Sequence, residues 1–418
     1  MLDIKFVQSN YKLVKNSCIS KGYDINFDLL FNLNIEKVNK EQKINELNHL
    51  KNKLSEKFYQ FNSHTEELRN LRIEISRLDA QISIFNFEYE EIIKQLNDLL
   101  IKIPNILHYT VPIGLNSVDN LIVKEKKLNK TFDFDLKNHI ELGTNLNILD
   151  FKRGTKVTSS GFLFFVDKGS ILQRALINFF LDVAQENGYK QLSVPFMVNE
   201  ESAKGTCQFP DKEDLMFRID DEDLYPIPTA EIPITNFHRD ETINNKYLPL
   251  KYSSYSPCFR KEAGSYGKET KGLNRLHQFD KVELVKITNQ NSSYEELENL
   301  VKDVEKILEL LELDYRIILM CSNETGFAQS KKYDFEVYSP GQKLWLEVSS
   351  CSNFETFQSK RLNLKYNDKG EKKLVHTING SGLAIPRIFS SLIEQNQTKD
   401  GNILIPKCLQ QYTKFDII

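Results

Sequence analysis

The chain has 418 residues, 40% of them hydrophobic and 27% charged, so it can bury a large core and should divide into two or three domains. Its 55 basic and 58 acidic residues nearly cancel, which excludes a globally cationic nucleic-acid-binding protein and leaves only a local basic patch. No apolar run reaches the roughly 20 residues that cross a bilayer. Six cysteines with no CxxC pair predict reduced thiols. With no transit leader at the start, we expect a cytoplasmic protein with neither membrane nor DNA as partner.

The first 25 residues are predicted to contain one short amphipathic helix. Its apolar positions recur at helical spacing, at Ile4, Val7, Leu13, Val14 and Cys18. We interpret this helix as a packing element.

From about residue 27 to residue 101 the pattern predicts two long helices joined as an antiparallel hairpin. The second carries a heptad seam at Leu68, Leu71, Ile75, Leu78, Ile82, Phe85, Tyr89, Ile92, Leu96 and Leu99. The first has a weaker seam at Ile44, Leu47, Leu54, Phe58 and Phe61 that also admits Lys37, Lys40 and Lys51. A polar turn at residues 62–65 separates the two, and a short turn makes neighbouring helices antiparallel.

The heptads alone favour a dimerisation coiled coil or a plain spacer. Cationic side chains near the turn offer another use, because they are numerous enough to bind phosphates despite the glutamates among them. These cations are Lys51, Lys53, Lys57, Arg69, Arg72 and Arg77.

After the hairpin the pattern changes to mixed helices and strands. Prolines in the stretch 103–114 indicate a linker, so we expect one domain at 1–105 and a second at 106–418. In the second domain an apolar helix at 171–186 leads to a predicted strand at 191–198, which contains Pro195.

A loop bracketed by prolines, from Pro226 to Pro233, carries Thr229, Ala230 and Glu231. Prolines stiffen a loop and limit the entropy that it loses when a ligand binds. A solvated turn explains the same residue types.

The most informative stretch, YSPCFRKEAGSYGKETKGLNRLHQFDKVELV at 255–285, predicts two antiparallel strands around a loop with Gly264, Gly267 and Gly272. Alternation places Arg260 and Glu262 on one face of the first strand, and Phe279, Lys281 and Glu283 on one face of the second. An arginine fork, two acids and an aromatic ring suit ATP and an amino acid. An exposed ladder of salt bridges is the alternative.

Two later stretches also carry chemistry. The strand at 344–353 brings Glu347 near Ser350, hard oxygen donors of the kind that Mg²⁺ takes alongside phosphates, although an ordinary edge strand would look similar. The stretch 379–387 ends in Pro386 and Arg387 before another predicted helix, and the proline is tolerable only in the first turn of that helix.

The stretch 258–283 closely resembles motif 2 of class II aminoacyl-tRNA synthetases in its seryl form. Pro195 stands where motif 1 has its proline, residues 379–387 resemble motif 3, and residues 139–143 and 149–151 also match the family. The resemblance covers essentially the whole chain. It implies an α+β catalytic domain built on an antiparallel sheet flanked by helices, an N-terminal two-helix coiled-coil arm, and a homodimer formed through motif 1.

The resemblance also implies the reaction and its partners. L-serine and ATP would give seryl-adenylate and diphosphate, and the seryl group would then pass to the terminal ribose of tRNA(Ser), gripped by the arm. Whether tRNA(Sec) is also served stays open.

Site roles carry over residue by residue. Arg260 would lie between the two reacting anions and Arg387 would bind the γ-phosphate, as catalytic residues. The serine pocket would comprise Thr229, Ala230, Glu231, Glu283 and Ser381. The ATP site would comprise Arg260, Lys261, Glu262, Arg275, Phe279, Glu347, Val348, Ser349, Ser350 and Arg387, with Mg²⁺ on Glu347 and Ser350. On the arm, tRNA would contact Lys51, Lys53, Lys57, Arg69 and Arg72.

The chain departs from the family pattern at Cys207, where glycine is usual, and at Pro386, where glycine is common. Two alternative functions are a ligase that charges a carrier protein and a non-catalytic RNA-binding scaffold. The heptad arm argues against the first. The joint presence of Arg260, Glu283 and Arg387 with the other charged site residues argues against the second.

Overall fold

The computed structural model describes residues 2–59, 66–128, 130–209, 212–261 and 271–418. The chain forms two compact units, Met1–Pro104 and Asn105–Ile418. Several sequence predictions lie outside the described residues: the polar turn at 62–65, Phe61 of the first seam, and Glu262, Gly264 and Gly267 of the hairpin loop.

The described part of the first unit consists mainly of helices. Its helices are Ile4–Ser9, Tyr11–Ser20, Phe27–Tyr59 and Glu66–Leu100. The prediction of a single helix in the first 25 residues is therefore wrong. Asn10 leaves the helical conformation at φ −121°, and its side-chain amide donates to the Phe6 carbonyl at 3.1 Å. Such local side-chain bonds compete with helix continuation, so one helix ends and another begins there.

The two long helices pair along the predicted seam. Every heptad position on the helix Glu66–Leu100 is buried or half-buried, and Leu47, Leu78 and Ile82 form the centre of the contact. Two of the seam lysines are paired across it: Lys40 Nζ lies 2.6 Å from a carboxylate oxygen of Glu88, and Lys51 Nζ lies 2.5 Å from one of Asp79. These two polar positions of the weaker seam therefore help to hold the helices together.

The second unit is built on an eight-stranded sheet. All its pairings are antiparallel except that of Lys190–Gln191, which runs parallel to its neighbour. In spatial order the strands are Leu121–Lys126, Tyr315–Leu319, Lys331–Ser339, Leu344–Glu355, His376–Ala384, Gln278–Thr288, Leu250–Phe259 and Lys190–Gln191. The hairpin predicted at 255–285 is confirmed as the pairing of Leu250–Phe259 with Gln278–Thr288.

Smaller elements surround the large sheet. Short strands pair as Glu371–Leu374, Lys365–Asp368 and Thr242–Asn244, as Leu149–Asp150 with Phe164–Phe165, and as Met197–Val198 with Tyr225–Pro226. The α-helices are His139–Asn145, Phe151–Val157, Lys168–Glu186, Glu200–Gly205, Glu231–Asn236, Ser293–Leu310, Phe357–Arg361, Ile385–Gln395 and Lys407–Thr413. Helices on an antiparallel sheet make this an α+β fold.

Alternation on the strand Gln278–Thr288 separates core from site. Val282 and Leu284 belong to the main hydrophobic core, together with Leu300 and Leu392 from two of the helices. Phe279, Lys281 and Glu283 have the opposite parity and line the pockets described below.

Two predictions for the second unit are corrected. The strand expected at 191–198 is split into Lys190–Gln191 and Met197–Val198, with Pro195 between them; proline has no N–H to donate to a ladder. The stretch expected to be a linker is anchored, because the buried Asn105 side chain donates to the carbonyls of Ala328 and Phe354 at 2.9 and 2.8 Å.

Because the arm has only a narrow apolar seam, its stability should be sensitive to shortening a single side chain there. We expect Ile82→Ala, at a 9% exposed position, to lower the local free energy of unfolding of the arm by about 2 kcal/mol, since a buried isoleucine is lost. Ile84→Ala, at a 59% exposed position, should change it by less than about 0.5 kcal/mol. Hydrogen exchange of the arm amides measures both. Equal exchange rates in the two variants would contradict the assigned seam.

Candidate active site

Two adjoining pockets open on the sheet. We name the first, which contains Phe279, the aromatic pocket, and the second, which contains Glu231 and Glu283, the acidic pocket. The two pockets have part of their lining in common. The residues that line both are Arg260, Lys281, Glu347 and Ser381.

Arg260 follows the strand Leu250–Phe259 at the junction of the pockets. Its Nε donates to the Pro228 carbonyl at 3.3 Å, and its guanidinium carbon lies 5.0 Å from the centroid of the Phe279 ring. A backbone acceptor and an aromatic face together orient the guanidinium plane. A fixed cation therefore stands where the two pockets meet.

A dense polar network forms the floor of the acidic pocket. Thr229 Oγ1 donates to Glu283 Oε2 at 2.8 Å and accepts from Lys281 Nζ at 2.8 Å, while Lys281 also pairs with Glu283. Ser381 stands opposite Glu283 on the neighbouring strand. All of these except Ser381 are buried, and each buried charge has an opposite charge or a hydrogen bond close by.

Glu231 lies within the stretch Pro226–Pro233, whose last part is not a loop as predicted but the start of the short helix Glu231–Asn236. Gln358 Nε2 donates to its Oε1 at 2.7 Å, and Thr377 Oγ1 donates in turn to Gln358 Oε1 at 2.7 Å. Burial, and then the negative charge of Glu283, raise the pKa of Glu231 to about 7. The pocket therefore holds two acids of which one is readily protonated near neutrality.

Arg387 stands on the helix Ile385–Gln395 at the far side of the aromatic pocket. Its Nε donates to the Asn274 carbonyl at 2.9 Å and its Nη1 donates to the Glu347 carbonyl at 2.6 Å. Arg275 also lines this pocket, next to the turn that supplies the Asn274 carbonyl. Three arginines thus surround one cleft, an arrangement suited to a polyphosphate.

Glu347 and Ser350 meet because of a β-bulge. On a regular strand, positions of opposite parity point to opposite faces. In the pairing of Lys331–Ser339 with Leu344–Glu355, the register shifts between Phe335 and Glu336, so Val348 has no paired residue. One extra residue reverses the alternation, and Ser350 Oγ lies 3.3 Å from Glu347 Oε1.

The charges around Glu347 keep it ionised. Its side chain is accessible from the pockets but surrounded by protein; burial alone would raise its pKa, yet Arg387, Lys332 and Arg260 together hold that pKa below the ordinary value. Burial raises the pKa of the adjacent Asp334 to about 6, against the opposing effect of Lys332. Of these two carboxyl groups, Glu347 is therefore the more readily ionised and the better oxygen ligand for a cation.

Most of the site residues predicted for the second unit line the two pockets, and two described ones do not. Ala230 is buried in a separate hydrophobic cluster, and Lys261 is exposed outside both pockets. Glu262 lies outside the described residues. In the aromatic pocket are Arg260, Arg275, Phe279, Glu347, Val348, Ser349, Ser381 and Arg387; in the acidic pocket are Thr229, Glu231, Arg260, Glu283, Glu347, Ser350 and Ser381.

Sequence analysis assigned no role to several charged residues at the site, among them Lys281, Lys332 and Asp334. Lys281 could have been found, because its parity matches that of Phe279 and Glu283. Lys332 and Asp334, paired at 3.2 Å, come from the strand Lys331–Ser339, which carries no recognisable motif.

The two departures from the family pattern have clear local settings. Cys207 has φ +65°, the left-handed region that glycine adopts most easily. Pro386 lies in the first turn of its helix, where the missing N–H costs no helical bond, as expected.

Comparisons with known proteins agree across the whole chain. Residues 1–107 match the model of the seryl-tRNA synthetase N-terminal domain, and residues 215–396 match the class II tRNA synthetase core domain of the G, H, P, S and T enzymes. The chain is 45% identical to the serine–tRNA ligase of Salinibacter ruber, over 99% of this chain and 98% of that protein.

The chain belongs to the seryl-tRNA synthetase family.

Other relatives in the family agree. The serine–tRNA ligase of Chloroherpeton thalassium is 43% identical over the full length of both chains. The crystal structure of seryl-tRNA synthetase from Pyrococcus horikoshii, complexed with ATP, superposes with a TM-score of 0.92 at 34% identity, over 100% of this chain and 99% of that one. The α+β fold with a large antiparallel sheet and a long helical arm, expected for a seryl-tRNA synthetase, is confirmed.

The raised pKa of Glu231 predicts a dependence of stability on pH. The folded protein binds this proton more tightly than the unfolded chain does, so the stabilisation is complete below pH 4.5 and is lost as pH rises through about 7. Over that range the wild type should lose about 3 kcal/mol relative to Glu231→Gln, which does not titrate there. Urea unfolding at several pH values measures the difference. Glu222→Gln, at an exposed position, is the control; parallel curves for wild type and Glu231→Gln would contradict the prediction.

Proposed function

We propose that the two pockets divide the substrates of this ATP-dependent serine–tRNA ligase, with L-serine in the acidic pocket and ATP in the aromatic pocket. The observation that carries the proposal is that Arg260 lines both pockets. The Pyrococcus horikoshii relative was crystallised with ATP, which supports ATP as a substrate here.

In the first step a serine carboxylate oxygen attacks the α-phosphorus of ATP. The bond from that phosphorus to the bridging oxygen breaks, diphosphate leaves, and seryl-adenylate remains. The reacting carboxylate and phosphate are both anions, so a cation oriented before they arrive lowers the barrier with little reorganisation. Arg260 has this role in the proposal, because Pro228 and Phe279 already fix its guanidinium.

The acidic pocket suits the other end of serine. Glu283 and Glu231 offer carboxylates to the ammonium, and Thr229 and Ser381 offer hydroxyls. Lys281 already balances Glu283, so an incoming ammonium must share that carboxylate or rely on Glu231. Binding a cation beside Glu231 favours its ionised form, which couples serine binding to release of a proton. Alanine would leave the polar groups that meet the serine hydroxyl unpaired, which is the physical basis for rejecting it.

The aromatic pocket suits a nucleotide. The Phe279 ring has Arg260 over one face and would offer a stacking surface to adenine. Arg387 and Arg275 would meet the phosphates beyond it.

Glu347 and Ser350 fit a magnesium ion that arrives with ATP. Their oxygens lie 3.3 Å apart, and the carboxylate stays ionised among three cations. Within the described residues no cluster of three or more His, Cys, Asp and Glu side chains could hold a metal, so the phosphates and water would complete the shell, as is usual for this ion. When bound, Mg²⁺ would neutralise phosphate charge.

In the second step a hydroxyl of the terminal ribose of tRNA(Ser) attacks the seryl carbonyl, and AMP leaves. We propose that unit 1–104 is the tRNA-binding domain and that 105–418 is the catalytic domain. Lys53, Lys57, Arg69 and Arg72 are exposed on the arm and free to approach RNA phosphates. Lys51 is different, since Asp79 already binds its ammonium. Phosphate contacts alone would not exclude tRNA(Sec).

A homodimer is the assembly we propose. The sheet ends in the strand Leu121–Lys126, whose Leu121, Ile122 and Val123 are all at least half exposed, and Phe196 and Met197 of the motif 1 stretch are exposed as well. Exposed apolar side chains on an edge strand are typical of an interface.

All six cysteines are unpaired thiols, which supports a reducing compartment such as the cytoplasm. No described helix has the length and apolarity that crossing a membrane requires.

Removing the Arg260 charge tests the division of substrates. We expect Arg260→Gln to lower the rate of serine-dependent exchange of pyrophosphate into ATP by about 10³-fold, because the developing charge loses its fixed cation. Arg153→Gln, a matched change at a side chain that is 79% exposed, should leave the rate unchanged. An Arg260→Gln protein that exchanges at the wild-type rate would exclude the proposed role.

Charge replacement on the arm tests tRNA binding separately. The joint change of Lys53, Lys57, Arg69 and Arg72 to glutamine should weaken tRNA(Ser) binding and flatten its salt dependence, while pyrophosphate exchange stays unchanged. Lys51→Gln is the matched control and should have a smaller effect, because Asp79 already occupies that ammonium. Filter binding at several salt concentrations measures both; unchanged tRNA affinity in the fourfold variant would remove the arm from recognition.

A further inference from the structure

A buried carboxylate outside both pockets is bound by an unusually large number of donors. Glu394, fully buried near the end of the helix Ile385–Gln395, accepts from the His139 N–H at 2.8 Å and the Gly341 N–H at 3.0 Å, and also from Ser339 Oγ. His139 Nδ1 lies 3.0 Å from the same carboxylate. A buried charge needs such compensation. Compensation alone does not explain why the bonds extend beyond Glu394 toward the aromatic pocket.

The network continues from His139 to the turn Gly272–Asn274. The Leu273 N–H donates to His139 Nε2 at 3.0 Å, so that nitrogen is the acceptor and Nδ1 carries the proton that faces Glu394. Gly272, at φ +66°, packs against the imidazole so closely that a Cβ there would collide with Nε2. The imidazole therefore joins a backbone N–H of the turn to a carboxylate on the helix.

The same turn holds Arg387. The Asn274 carbonyl accepts from Arg387 Nε at 2.9 Å, and Asn274 Nδ2 donates to Gln342 Oε1 at 2.7 Å. Gln342 Nε2 donates back to Ser339 Oγ at 2.7 Å, which closes the network. Arg387 and Glu394 are seven residues apart on one helix, so they project from the same face, two turns from each other.

We infer that His139 and Glu394 are positioning residues for Arg387. They connect the turn Gly272–Asn274 to the helix that carries Arg387, and we call this connection the clamp. The Asn274 carbonyl of that turn then fixes the orientation of the Arg387 guanidinium. None of the clamp's side-chain contacts reaches Thr229, Glu231 or Glu283 among the described residues. The clamp should therefore act on ATP and leave serine binding unaffected; this rests on the proposal that Arg387 contacts ATP.

Pyrophosphate exchange with separate KM values for ATP and serine tests the clamp. We expect His139→Ala to raise the KM for ATP about tenfold, with the KM for serine within about twofold of wild type. Gln342→Ala, at a half-buried position, removes the bond to Asn274. It takes from Glu394 only a 3.3 Å bond and leaves the shorter bonds from His139, Ser339 and Gly341 in place. It should raise the KM for ATP about threefold, and it decides the matter if His139→Ala does not fold.

A matched control separates positioning from general stability. His376 is also buried, and its ring bonds to Ser293 Oγ at 2.7 Å, away from the turn. His376→Ala should lower Tm to a similar extent while both KM values stay as in wild type. The inference is overturned if His139→Ala and Gln342→Ala lower Tm and leave the KM for ATP within twofold of wild type.

Arg387→Ala distinguishes a failure of the clamp from a failure of the proposed ATP role of Arg387. A raised KM for ATP in this variant, with none in His139→Ala and Gln342→Ala, rejects the clamp and keeps the proposed ATP site. An unchanged KM for ATP in Arg387→Ala rejects the ATP role of Arg387 itself.

Discussion

The site depends on a guanidinium held still between two cavities. Arg260 has a carbonyl acceptor in Pro228 and an aromatic face in Phe279, so its orientation is set before any substrate binds. A flexible cation would lose part of its electrostatic effect to reorganisation, whereas a fixed one keeps it. The hairpin and the proline-bracketed loop serve this placement, since one carries Arg260 and the other carries its acceptor.

The charged side chains around Arg260 are arranged so that nearly all of them are compensated. Glu347, Lys281 and Glu283 would each be costly alone in a protected site, and the structure pairs them with opposite charges or hydroxyls. Glu231 is the exception, because its nearest strong influence is another acid and its carboxylate is held by a neutral amide. The acidic pocket thus keeps a readily protonated acid, a cost to the empty protein that a bound ammonium would relieve.

Rigidity in the site comes partly from residues that touch no proposed ligand. The helix Ile385–Gln395 carries Arg387 at one end and Glu394 at the other. The turn Gly272–Asn274 bonds directly to Arg387 and reaches Glu394 through His139. A single helix face therefore links a pocket to a buried polar network. The arm is organised differently: its apolar seam is narrow, and paired lysines such as Lys40 and Lys51 supplement it.

The sequence by itself determined the features that depend on local periodicity. The heptad fixed the seam of the arm, strand alternation grouped Phe279, Lys281 and Glu283, and the long motifs identified the family. Tertiary structure alone decided where local rules are broken. Asn10 ends a helix that the apolar pattern would continue, and Pro195 interrupts a strand. Above all, Glu347 and Ser350 have opposite parity, and only the bulge at Val348, set by pairing with a strand distant in sequence, brings them together. Periodicity is a property of one segment, whereas a register shift belongs to two strands and exists only when they pair.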